Sequence, residues 1–168
     1  LSPSLLALSL FVHLLATVVW LGGLFLLTLL VWPATRRSLA ASPERLRLLD
    51  RLRKRFQPLT WLCLALLLVT GVYQMSADRH YEGMLQFGNQ WSRVILLKHV
   101  ALAGMVLCAV LLQWRVAPAL ERLGWLLERE RGDAAEWARL RRQEVRLARI
   151  SVALGLLVLF FTAWATAL

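Results

Sequence analysis

Acidic residues are scarce. Ten Asp and Glu stand against 20 Lys and Arg in 168 residues, a net charge of +10. Cysteine is scarcer still: Cys63 and Cys108 sit in separate apolar runs and form no CxxC pair. That excludes a disulfide framework and a cysteine zinc site. Only three methionines are present, too few for a methionine-rich copper path. No Ser-His-Asp set, glycine-rich phosphate loop or carboxylate pair lies within an apolar run, so nothing points to hydrolysis or phosphoryl transfer and no catalytic residue is expected. There is no internal repeat and no low-complexity segment. The first apolar run is too long and lacks the basic start of a signal peptide.

What is abundant is apolar surface. The apolar fraction is 59%, against about 45–50% for a soluble domain, and the mean hydropathy is +0.60. A chain long enough for one compact domain cannot bury that much, so part of its solvent is lipid. In a soluble protein the positive charge would suggest nucleic acid. Here it falls between apolar runs, so it reads as membrane topology and no nucleic-acid partner is expected.

Four runs are long enough to cross a bilayer as helices, at about 5–32, 58–77, 94–114 and 150–168. The first is over-long and must tilt or protrude. The expected fold is all-α, a polytopic membrane four-helix bundle forming one domain over 1–168. Eight basic residues lie between 36 and 55 and nine arginines between 115 and 149, but the loop between the second and third spans has only Arg79 and Arg93. The positive-inside rule makes the two basic segments cytoplasmic and both termini external. The segment 119–131 continues the third helix past a kink available at Pro118. Gly132-Asp133 breaks it, and Asp133 with Glu136 resembles a capping box. A cytoplasmic helical hairpin at about 115–149 follows. It is either a salt-bridged pair of helix extensions or a docking surface for a partner subunit or anionic lipid heads.

The histidines carry the chemistry. An ionisable residue within a span is a functional hypothesis by default. His13 lies 19 residues before Trp32 and His99 lies 16 before Arg115, a depth mismatch of about 5 Å that tilt absorbs. Two imidazoles at one depth on different helices can hold a haem iron or a copper ion. Thr17 and Trp20 share the His13 face, and Trp20 is a candidate wall. Gly22 and Gly23 permit close approach of a helix or flat ligand. Ala103 and Val106 share the His99 face, and Ala103 leaves room for a macrocycle. Arg93, Lys98 and Arg79 stand at the outer edge, where haem propionates need cations. Against this, each histidine could simply hydrogen-bond a neighbouring helix, and Lys98 could snorkel outward.

A copper path would draw on Met75, His80 and Met84 near the outer loop, with Cys63 and Cys108 toward the other side. Cys108 lies nine residues after His99, about 180° around the helix. Packing is the commoner role for these residues. Trp32, Trp61, Trp91, Trp114 and Trp125 read as belt anchors.

Three segments carry a resemblance: HLLATVVWLGGLFLL at 13–27, RFQPLTWLCLALLLVTGVYQ at 55–74 and WSRVILLKHVALAGMVLCAVL at 91–111. Together they resemble the membrane domain of the copper resistance protein D (CopD) family. That resemblance implies a bacterial inner-membrane helical bundle associated with copper uptake or handling. A more distant similarity is to HemJ-type protoporphyrinogen oxidases, which bind haem and carry a first-span His and a third-span Lys; His13 and Lys98 match those positions. The leading expectation is a b-type haem held by His13 and His99, in an electron carrier or an accessory subunit of a redox complex. The alternative is copper import or handling at the same histidines, with Met75 and His80 as weaker ligands. A cofactor-free structural subunit is the third. A membrane or periplasmic protein partner is expected beside the lipid bilayer.

Overall fold

The computed structural model describes residues 2–31, 33–34, 43–78, 88–127, 129 and 131–168, with backbone alone for 43–50 and 53. Trp32, Arg79, His80 and Met84 lie outside the described residues. The described chain is helical, with no strand. Four stretches are long and apolar enough to cross a membrane: Pro3–Val31, Lys54–Ala77, Gln90–Leu127 and Ala134–Thr166. The all-α, four-span expectation therefore holds. Large side chains such as Val18, Leu68 and Val69 stay exposed, as lipid contact requires. The contacts divide into two units, Leu1–Ser92 and Arg93–Leu168.

In the first unit, α1 spans Pro3–Phe25. It starts where Ser2 Oγ accepts the Leu5 N–H and proline takes the first helical position. It continues into a π-helical turn, Leu26–Val31. Helix α2 spans Pro43–Ala77 and so begins well before the expected start at 58. Hydropathy misses 43–57 because the segment is charged, yet its Glu, Arg and Leu are good helix formers. Pro58 removes one N–H from the ladder, that toward the Lys54 carbonyl, and the helix runs through it.

The two helices pack in an antiparallel register legible in their spacing. Ser9, His13, Ala16 and Trp20 recur at 4-3-4, and so do Cys63, Leu67, Thr70 and Gln74. This is the period of a left-handed helix pair. Gln74 Nε2 donates to the Ser9 carbonyl (3.2 Å) and to Ser9 Oγ (3.3 Å). His13 Nδ1 lies 2.7 Å from Thr70 Oγ1. The same register sets Ala16 level with Leu67 and Trp20 level with Cys63, and all four are buried. Farther along, the Phe56 ring fills the hollow at Gly23: a Cβ on Gly23 would lie 2.2 Å from the ring.

Helix α3 spans Gln90–Leu111, with Asn89 Oδ1 accepting the Ser92 N–H at its start (2.7 Å), and from Arg93 onward it belongs to the second unit. A π-helical turn, Leu112–Val116, leads into α4, Ala117–Leu127. The irregularity expected at Pro118 takes this form: the Ala117 N–H reaches back five residues to the Leu112 carbonyl. The Arg131 N–H closes the turn on the Leu126 carbonyl (2.9 Å). Asp133 then caps α5, Ala134–Thr166, through the Ala135 N–H, and Glu136 adds negative charge to its first turn. The hairpin expected at about 115–149 is thus two helices joined at 128–133. Ala148, Ser151, Val152 and Gly155, three of them small, form the buried face of α5, and α5 packs on α4 and the π turn. Gly104 of α3 accommodates Leu154 of α5, whose Cδ1 lies 3.0 Å from where a Cβ would stand.

Gly22 and Gly23 give a clean contrast. A Cβ on Gly22 meets nothing within 4 Å, but one on Gly23 collides with Phe56. Gly23→Ala should destabilise the protein by about 1–3 kcal/mol, as overpacking does. Gly22→Ala should be near neutral. Adding Phe56→Leu should recover most of the Gly23→Ala loss, as read by unfolding in mixed micelles.

Candidate functional site

His13 is the organising residue of the first unit. Thr70 Oγ1 lies 2.6 Å from the Leu66 carbonyl and 2.7 Å from His13 Nδ1. A hydroxyl has one proton, and a carbonyl can only accept. Both contacts are satisfied when Thr70 donates to Leu66 and accepts from His13 Nδ1–H. This puts a proton on Nδ1, and in the neutral ring the lone pair is then on His13 Nε2. Orienting a ring through its second nitrogen in this way is how a histidine is prepared as a metal ligand.

The surroundings are polar on one side and apolar on the other. A Cβ on Gly71 would stand 3.5 Å from His13 Cε1, so the ring lies beside the bare backbone of α2. One helical turn toward the start of α1 is the Ser9–Gln74 pair. On the other side come Ala16 and Trp20, the latter only 5% exposed. Thr17 directs its hydroxyl to the His13 carbonyl (2.8 Å), a bond within its own helix. The Tyr73 hydroxyl is buried and has no hydrogen-bond partner among the described residues.

The residues expected on the third span lie in the second unit. His99 Nδ1 lies 2.7 Å from the Ile95 carbonyl. Because a carbonyl only accepts, His99 also carries a proton on Nδ1, and in its neutral form the lone pair is on Nε2. His99, Ala103 and Arg93 are exposed and Lys98 is half-buried. The packed side of α3 is made instead by Ala101, Met105 and Cys108. The structure thus groups His13, Thr17 and Trp20 in one unit, and Arg93, Lys98, His99 and Ala103 along one helix of the other. Met75 is half-buried on α2. Among the described residues, no group of three or more His, Cys, Asp and Glu could hold a metal ion.

Sequence reasoning took Thr70, Gly71 and Gln74 only as part of the 55–74 segment that carries the resemblance, and gave neither them nor Ser9 a role at the site. The signal was available: the 4-3-4 spacing of 9, 13, 16 and 20 is repeated at 63, 67, 70 and 74, and the polar members open the first series and close the second, as an antiparallel pair requires.

The family model for copper resistance protein D matches residues 50–165. The chain belongs to the copper resistance protein D family. The match covers α2 from residue 50, all of α3 and α4, and nearly all of α5. It includes Thr70, Gln74 and His99 and begins after His13. A search of curated proteins and a search of solved structures each found no match. Membership in this family makes the chain a copper-resistance-related membrane protein.

The His13–Thr70 bond can be weighed by a double-mutant cycle. His13→Ala and Thr70→Val should each destabilise the protein, with a coupling of about 0.5–1.5 kcal/mol, the range of hydrogen bonds between membrane helices. A coupling near zero would remove Thr70 as the residue that orients the ring.

Proposed function

We propose that this protein handles copper ions as cargo within a bacterial inner membrane, and that His13 is the residue that meets them. The observation that carries this reading is the Thr70 hydrogen bond. It places the proton on Nδ1 and the lone pair on Nε2, the state in which an imidazole binds a soft or borderline metal ion. Family membership supplies the metal, and the α1–α2 pair supplies an oriented donor within the first span. His99 has the same tautomer through Ile95 and offers a second donor of the same kind. Met75 is a soft sulfur on the same helix as Thr70, and His80 belongs to the segment that follows. Sparse ligands suit a passing ion, since conduction needs sites weak enough to release what they bind. No bond-making step is assigned to the chain itself.

The test is copper uptake by cells or proteoliposomes containing the full chain. His13→Ala should abolish uptake. Thr70→Val should weaken copper binding by about ten-fold or more, the usual cost of losing a residue that orients a ligand. Wild-type copper transport in His13→Ala would overturn the proposal.

A b-type haem at the same histidines is the second reading. It is favoured by the shared tautomer, because an axial histidine also donates Nδ1–H to an oxygen while Nε2 faces the iron. Arg93 and Lys98 would then serve the propionates. Oxidised and dithionite-reduced spectra separate the two readings. A haem band lost in both His13→Ala and His99→Ala supports haem; copper uptake without such a band supports cargo.

The charge asymmetry supports an orientation with both termini outside and the 36–55 and 115–149 segments in the cytoplasm. Reporter fusions check this. Alkaline phosphatase should be active when joined after Leu168 and inactive when joined within 128–133.

A further inference from the structure

Helix α5 carries a row of arginines that the copper reading does not use. Arg139, Arg142, Arg146 and Arg149 recur at 3-4-3 spacing and all four are exposed. At 100° per residue they occupy one side of the helix. The buried face, Ala148, Ser151, Val152 and Gly155, lies nearly opposite. The remaining arginine of this segment, Arg141, is committed elsewhere. It is paired with Glu144 and stacked 5.4 Å over the Trp137 ring. The four in the row have no acidic partner among the described residues, and no acidic residue falls within the row.

The row does not end at Arg149. Continued along the same side of α5, it becomes Ala153, Leu156, Leu157, Phe160 and Trp164, all exposed. The arc is about 100° wide throughout. One helix face therefore changes from guanidinium to hydrocarbon at residue 150. A soluble protein has no surface of this kind. It matches a bilayer leaflet, with acyl chains along 153–164 and headgroups from Arg149 upward. The arginine part is about 15 Å long, more than the polar layer of one leaflet, about 5–8 Å thick. Arg149 and Arg146 thus stand among the phosphates, and Arg142 and Arg139 reach the electrostatic field above them.

We propose that this face of α5 is a binding surface for anionic phospholipid headgroups, with Arg146 and Arg149 as the contact residues and Arg139 and Arg142 as long-range attractors. Guanidinium is the side chain suited to this role, because its planar fork binds two phosphate oxygens at once. An acidic protein segment would also answer the charge, but it would not explain why the same face continues as exposed hydrocarbon.

The test uses the full chain in nanodiscs of phosphatidylcholine mixed equally with phosphatidylglycerol. Spin-labelled lipids of each type report which one is held at the protein boundary. The wild type should prefer the anionic lipid. A basic residue near an anionic surface contributes about a five-fold preference, so Arg146→Gln with Arg149→Gln should lower the selectivity by about 20-fold or abolish it. Replacing the same two with Lys should retain most of it, which shows that charge and not folding is being read. Arg122→Gln with Arg131→Gln, off the row, should leave it unchanged. Far-UV circular dichroism in pure phosphatidylcholine verifies that each variant is folded. The proposal is overturned if the wild type shows no preference, or if the folded Gln variant keeps it.

Discussion

Everything in the first unit depends on putting an imidazole into a bilayer without leaving its N–H unsatisfied. An unpaired polar group in hydrocarbon costs several kcal/mol. His13 meets that constraint by donating to Thr70, and Thr70 meets its own by donating to Leu66. The chain of bonds ends on backbone, so neither residue can turn without breaking a partner. It also sets the antiparallel register, because moving α1 by one turn would separate His13 from Thr70 and Ser9 from Gln74 together. The bond that pins the helices is therefore the one that decides which nitrogen His13 presents.

Helix association in lipid has little help from hydrophobicity, since lipid tails are as apolar as leucine. The structure answers with close approach and polar layers. Phe56 occupies the hollow at Gly23, and Leu154 sits against Gly104. In the second unit the buried face of α5 is made largely of small residues, Ala148, Ser151 and Gly155. Most large aliphatic side chains point away from these seams. This inverts the soluble pattern: small and polar residues hold the helices together, and leucines face the solvent, which is lipid.

The spans were legible because hydrophobic length is dictated by bilayer thickness. His13 and Trp20 were legible because they are unusual at depth, and the break at 132–133 because Gly-Asp stops one helix and caps the next. The charged start of α2 was not, since hydropathy is blind to a helix that leaves the membrane. The π turns at 26–31 and 112–116 leave no composition signature. Thr70 and Gln74 were missed because single hydroxyls and amides in a span look like ordinary packing residues until a partner helix is placed beside them. His99 was read as equivalent to His13 from depth alone. Its ring bonds its own helix and is exposed, and depth carries no information about direction.

The most direct test of the account is the protonation pattern of the His13 ring in lipid. Nitrogen NMR of ¹⁵N-histidine protein in bilayers distinguishes a protonated from a lone-pair nitrogen, and His80→Gln with His99→Gln isolates the His13 signals. The account predicts a neutral ring with the proton on Nδ1, lost as a fixed state in Thr70→Val, and a shift confined to Nε2 when Cu(I) is added. A proton on Nε2, or a ring that ignores Cu(I), would contradict it.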